Sequence, residues 1–116
     1  MEINIDYLRE NLKNDLLNMG FDEDSFDIGL DAFYESINDS LPCLIDALNK
    51  EDFEQIRFYS HALKGTFANF ENEQFKSLSE LFKKIEFEAK GSQSIEMIKN
   101  YFENVKDLSS DWLKID

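Results

Sequence analysis

The chain has 116 residues, of which 25 are Asp or Glu and 12 are Lys or Arg, for a formal net charge of −13. That length suits a single domain able to bury a core without disulfide or metal staples, and the charge repels other polyanions, so a nucleic-acid partner is not expected. No apolar run approaches the roughly 20 residues of a membrane span, the start lacks the basic flank and apolar core of a signal peptide, and lone Cys43 has no partner for an internal disulfide.

These features suggest a cytoplasmic protein that meets neither membrane nor nucleic acid. Eleven Phe, four Tyr and one Trp supply bulk for the core, while a single Pro and four Gly leave few helix breakers. The composition therefore favours an all-α fold.

Taken in order, Ile5, Leu8, Leu12, Leu16 and Met19 recur at three- and four-residue spacing, which predicts a first helix over Asn4 to Met19 closed by Gly20. The acidic turn Asp22-Glu23-Asp24 offers cap oxygens to a second helix. Its apolar stripe is Phe26, Leu30, Phe33, Ile37, Leu41, Leu44 and Leu48. Pro42 lies inside that stripe, yet the periodicity continues in phase across it, predicting one kinked or locally broken helix rather than two.

Asn49, with Asp52 three residues on, has the pattern of a cap for a third helix, whose apolar face is Phe53, Ile56, Leu63, Phe67 and Phe70. A fourth helix follows an Asn72 cap, carries Phe75, Leu78, Phe82, Ile85 and Ala89, and ends before Gly91. Ser92 or Ser94 caps the fifth, with Ile95, Ile98, Phe102, Val105, Leu108, Trp112 and Ile115 on its apolar side. The expected architecture is one domain, residues 1–116, in which an additional N-terminal helix (1–20) covers an antiparallel four-helix bundle (21–116).

One stretch departs from the acidic character of the rest. From Gln55 to Phe70 there is no Asp or Glu, both Arg57 and Lys64 are present, and the only histidine, His61, lies between them. On a helical wheel at about 100° per residue His61 sits about 150° from the centre of the apolar stripe, so the ring points to water. Arg57, Phe58, Lys64, Gly65 and Ala68 occupy the positions that neighbour it on that face.

An isolated exposed histidine ordinarily has no role. Here Gly65 costs roughly 1 kcal/mol relative to Ala inside a helix, and Phe58 exposes a large apolar group beside the ring, as a docking patch would. Ser60 falls on the apolar side and has no part in chemistry. Cys43 lies beside the Leu41 and Leu44 stripe as core filler, and Asp22 and Asp24 read as caps. One histidine cannot build a metal site alone.

His61-Ala62-Leu63-Lys64-Gly65-Thr66, followed by Ala68-Asn69-Phe70, resembles the phosphorylation motif of histidine-containing phosphotransfer domains, and the likeness runs from about Phe21 to Leu113. Two positions differ from the family pattern. Glu71 stands where a glycine commonly follows the third helix, and Lys83 stands where Gln or Glu often supports the ring. A lysine at that second position would help neutralise a phosphoryl group.

The resemblance implies a phosphorelay intermediate in a two-component system. His61 would take a phosphoryl group from the aspartyl phosphate of one receiver domain and pass it to another, with Lys64 stabilising the group in transit and Arg57, Phe58, Gly65 and Ala68 forming the docking face. Receiver domains of response regulators or hybrid histidine kinases are the implied partners, and magnesium is expected from the receiver. The chain shows no nucleotide-binding motif of its own, so it reads as a covalent phosphocarrier without its own cofactor rather than an enzyme. The alternative is a non-phosphorylated adaptor or inhibitor that holds a receiver domain or a kinase through the same face.

Overall fold

Five helices carry the fold over the described residues, 1–115: α1 (Ile5–Asn18), α2 (Phe26–Lys50), α3 (Phe53–Ala68), α4 (Glu73–Lys90) and α5 (Ile95–Ser109), in a computed structural model. Two short strands, β1 (Glu2–Ile3) and β2 (Leu113–Lys114), pair antiparallel, with Glu2 opposite Lys114 and Ile3 opposite Leu113. Helices α2 to α5 form a four-helix bundle and α1 is the extra N-terminal helix, as the stripes predict. At about 1.5 Å per residue, the 25 residues of α2 span roughly 37 Å, and this helix sets the long dimension of a 45 × 25 × 21 Å molecule.

The helix ends follow from local chemistry. Asn4 caps α1 by accepting the Tyr7 N–H at 3.1 Å, and Gly20, at φ +98°, closes it. There the Gly20 and Phe21 N–H groups return to the Leu17 and Leu16 carbonyls, an arrangement that needs a left-handed residue. The Asp22 carboxylate accepts from both the backbone N–H and the hydroxyl of Ser25, the residue that precedes α2. The acidic turn thus caps through Asp22, and Asp24 has no such bond to α2.

Helix α2 runs unbroken through Pro42. The Asn49 cap expected for the third helix is not found: Asn49 is still within α2, Glu51 takes a left-handed conformation, and Asp52 caps α3 by accepting the Gln55 N–H at 3.2 Å. Asn72 caps α4 through Gln74 and Phe75, and Ser94 rather than Ser92 caps α5 through Met97. Left-handed backbone among non-glycines falls at Glu51 and Gln93, so Glu71 takes its place in the α3–α4 connection without needing a glycine's freedom.

The fifth stripe was expected to stay helical to Ile115, but α5 stops at Ser109. Ser109 and Ser110 turn their hydroxyls onto the Val105 and Asp107 carbonyls, competing with the helical ladder as short polar side chains do. Trp112 still reaches the core, fully buried with its indole N–H on Gln74 Oε1 at 3.2 Å, and Leu113 then joins the strand pair.

Met19, at the end of the first stripe, is exposed, whereas the stripe residues Phe33, Leu44, Ile56, Leu63, Phe67, Leu78, Phe82 and Phe102 lie in one core cluster. At its heart Phe67 stacks on Phe82 at 5.7 Å and meets Phe33 edge-on at the same distance, with Phe75 and Trp112 closing the group. Helix α1 is bound into this core by Leu8, Leu12 and Leu16, each at most 1% exposed. It packs closely on α2 at Gly29, where a Cβ would lie 3.1 Å from Leu16 Cδ2 and 3.2 Å from the Phe21 ring, tighter than ordinary contact.

Because Leu12 is fully buried, Leu12→Ala should cost about 2–5 kcal/mol. Urea denaturation measures this, and a loss under about 0.5 kcal/mol would mean that α1 is not part of the cooperative fold.

Candidate functional site

Helices α3 and α4 pack side by side, and the site lies along their outer seam. Asp52 starts α3 in a register that turns Ile56, Ser60, Leu63 and Phe67 inward; His61, one residue past buried Ser60, therefore faces out, with its side chain 69% exposed. Among the described residues the Ser60 hydroxyl finds no hydrogen-bond partner, and it packs as a small buried side chain. Two side-chain bonds steady the backbone around the ring: Thr66 Oγ1 donates to the Ala62 carbonyl at 3.0 Å, and Ser79 Oγ of α4 donates to the Lys64 carbonyl at 3.1 Å.

Opposite His61 stands Glu86 of α4, only 5% exposed. Its Oε2 lies 2.8 Å from His61 Nδ1, and its Oε1 lies 3.0 Å from Lys64 Nζ. A buried carboxylate must be paired, and this one is paired twice. Burial pushes the Glu86 carboxyl up, but the hydrogen bonds from His61 and Lys64 and the charge of Lys64 outweigh it, so its pKa lies below the ordinary value.

An ionised carboxylate only accepts hydrogen bonds, so Nδ1 carries a proton toward Glu86. In the neutral ring the lone pair then belongs to Nε2, on the solvent side. The arrangement fixes both ring orientation and tautomer, as a carboxylate does behind a histidine in other polar dyads.

The ring's partner is Glu86 and not Lys83. Lys83 is exposed on α4, three residues before Glu86, and α4 turns Glu86 instead toward the ring. The sequence carried a usable signal for this: Glu86 lies four residues after Phe82 and three before Ala89, both stripe positions, and an acid at the edge of a buried stripe calls for a cationic or hydrogen-bonding partner. Lys64, a neighbour of His61 on the same helix face, is bound to Glu86 and its side chain is 28% exposed.

The other face residues are all exposed. Phe58 is 64% exposed and rests edge-on against Tyr59 at 5.1 Å. Arg57 lines a shallow depression with Phe53, Glu54, Ala89, Lys90 and Gln93, where α3 meets the end of α4. Gly65 and Ala68 are exposed, and a Cβ at Gly65 would meet nothing within 4 Å. Phe87, 75% exposed and adjacent to Glu86, is a large apolar surface residue that the sequence reading passed over. Cys43 is half-buried rather than core, and its proximity pushes the Tyr59 phenol above its ordinary pKa.

Among the described residues no cluster of three or more His, Cys, Asp or Glu side chains could hold a metal ion. Among the described residues no helix is long and apolar enough to cross a membrane.

A four-helix bundle with one exposed, carboxylate-backed histidine on a helix face defines a histidine phosphotransfer protein. The family model for the Hpt domain matches residues 29–108, a span that includes His61, Lys64 and Glu86, and the chain belongs to that family. No curated protein and no solved structure matches it. Membership of the Hpt family makes the domain a phosphocarrier of phosphorelay signalling.

The lowered pKa of Glu86 has a consequence for stability. The folded value lies below the ordinary 4.5, so the stabilisation from this cluster is fully present above that value and is lost as pH falls through the folded value. Glu86→Gln removes the titrating group, and its stability should fall less steeply with acid than that of the wild type. Denaturation midpoints measured between pH 7 and pH 3 check this; parallel curves would show that Glu86 has the same affinity for protons folded and unfolded.

Proposed function

We propose that His61 is the phosphorylated residue and that its Nε2 carries the group between aspartates of receiver domains. The single observation behind this reading is that Nδ1 is engaged by Glu86 while the opposite nitrogen faces solvent. In-line attack on phosphorus requires a neutral nitrogen lone pair held in a fixed direction, and the bond from Nδ1 to Glu86 supplies that direction.

Lys64 stabilises the moving phosphoryl group in this reading. Its ammonium has three donors, so it can keep one on Glu86 Oε1 and direct another to a phosphoryl oxygen. The group in transit keeps its negative charge spread over the equatorial oxygens while the electron pair of the breaking bond goes to the donor carboxylate, and a cation already fixed nearby needs no reorganisation to meet it.

Arg57, Phe58, Gly65 and Ala68 surround the ring as the receiver-facing surface, in a cytoplasmic protein whose partners bring the magnesium and the aspartate. Gly65 has open space above it and helical backbone, so the fold does not demand a glycine. A partner that must bring its aspartate to bonding distance from Nε2 does.

The tests follow the roles. His61→Gln should lose all phosphate acceptance from a phosphorylated receiver while the protein stays folded, with a stability loss of about 1–3 kcal/mol because one partner of the buried Glu86 carboxylate is altered. A folded wild type that binds the receiver but never takes label would instead be an adaptor.

Gly65→Leu should remain folded with an equal or higher melting temperature and accept phosphate poorly from the receiver. Phosphoramidate, which needs no protein surface to pass, should still phosphorylate it. Transfer from the receiver at the wild-type rate would show that access is not why the glycine is there.

A further inference from the structure

The transfer step leaves a proton to be accounted for. Nε2 forms a bond to phosphorus, the acyl phosphate P–O bond of the donor breaks, and its electron pair leaves on the donor carboxylate. The ring, which already holds a proton on Nδ1, becomes a phosphoimidazolium with one positive charge. That proton can stay, move to Glu86 or escape to solvent, and the three fates give different carriers.

We propose that Glu86, held as an anion by Lys64, keeps the Nδ1 proton on the ring for the whole lifetime of the phosphorylated state, so that phospho-His61 remains a protonated and readily transferred form at neutral pH. This rests on the reading of His61 as the phosphorylated residue. Glu86 is then a positioning residue for charge as well as for orientation.

The geometry supports each part. Glu86 Oε2 is 2.8 Å from Nδ1, a direct path for a charge-assisted bond, and the carboxylate is buried, where water competes weakly for the proton. Its other oxygen is occupied by the Lys64 ammonium at 3.0 Å, which opposes protonation of Glu86 itself. Among the described residues, the charged groups acting on the Glu86 carboxyl are His61 and Lys64, both from α3. Lys83 and Lys90 on α4 and Arg57 on α3 are exposed on the flanks. No acidic side chain besides Glu86 bonds to the ring.

A retained proton changes the onward step. When the next aspartate attacks phosphorus and the N–P bond breaks, the electron pair returns to Nε2 and the leaving group is neutral imidazole rather than imidazolate. The ring comes back in its starting tautomer with Nδ1–H still on Glu86. A full cycle of acceptance and donation then exchanges no proton with solvent.

A neutral amide in place of Glu86 could still accept the Nδ1–H bond and orient the ring, but it would bring no negative charge to hold the proton. The two roles are therefore separable by Glu86→Gln. Hydrogen bonds to charged groups correspond to a pKa change of one unit or more, which sets the size of the expected effect.

The experiment phosphorylates the full-length, ring-15N-labelled protein with phosphoramidate and follows Nδ1 of phospho-His61 by NMR as pH is raised, with free Nε2-phosphohistidine as reference. The wild-type ring should lose its Nδ1 proton at least about one pH unit above the free amino acid, and Glu86→Gln should move the loss down by a similar amount. The N–P bond should also outlast the wild type's several-fold at pH 8 in this variant. A wild-type titration at or below that of free phosphohistidine overturns the proposal whether or not the variant folds, as does an unchanged titration in a folded Glu86→Gln. Failure of His61 to take phosphate from phosphoramidate would strike the carrier reading itself and is seen before any titration begins.

Discussion

The site depends on one buried carboxylate being shared between a histidine and a lysine. Without its partners Glu86 would be a charge taken out of water and left uncompensated, at a cost of several kcal/mol. With them it fixes the His61 ring by Nδ1 and holds the Lys64 ammonium within one turn of it. Every other feature of the site serves to bring that carboxylate to that face.

The bundle does so through the contact of α3 with α4. Phe67 stacked on Phe82 sets the two helices together in the core, and Ser79 bonded to the Lys64 carbonyl fixes their relative height at the site. Rigid elements supply the precision that a transfer reaction needs, since displacement of the ring by about 1 Å can cost two orders of magnitude in rate. The extra helix α1 lies elsewhere, on α2, with its Asp15 accepting the backbone N–H of Asn72 at the α3–α4 turn. It braces the connection between the two site helices without approaching His61.

Much of this was legible in the sequence because the stripes are strong and local. Helical periodicity placed Leu63 and Phe67 in the core and His61 opposite them, and a helix wheel is enough for such a distinction. Caps were less secure, since Asn49 and Asp52 compete within one short connection and a left-handed Glu51 lengthens α2 past the first of them. The end of α5 was missed for a related reason. Leu108, Trp112 and Ile115 keep a helical spacing in sequence, while the hydroxyls of Ser109 and Ser110 end the helix and the chain then pairs with Glu2 and Ile3.

Glu86 shows the limit more sharply. Its partners lie 22 and 25 residues away on a different helix, and their meeting depends on how far α4 is shifted and rotated against α3. A three-residue change along α4 exchanges an exposed lysine for a buried carboxylate, and no local pattern in α3 alone contains that information. The acid at the edge of the apolar stripe indicated that a partner was needed, but not which one.

The resting protein offers the most direct test of the central claim, which is that Glu86 fixes the ring with Nδ1 protonated and Nε2 free. Long-range 1H–15N correlation spectra of His61 at pH 8 distinguish the two neutral tautomers by the shifts of the ring nitrogens. The account predicts a protonated Nδ1 and an unprotonated Nε2, turning into a mixture weighted toward the Nε2–H form when Glu86 is replaced by Ala. A wild-type ring already dominated by the Nε2–H tautomer would contradict it, because the nitrogen that faces the partner would then have no lone pair to offer.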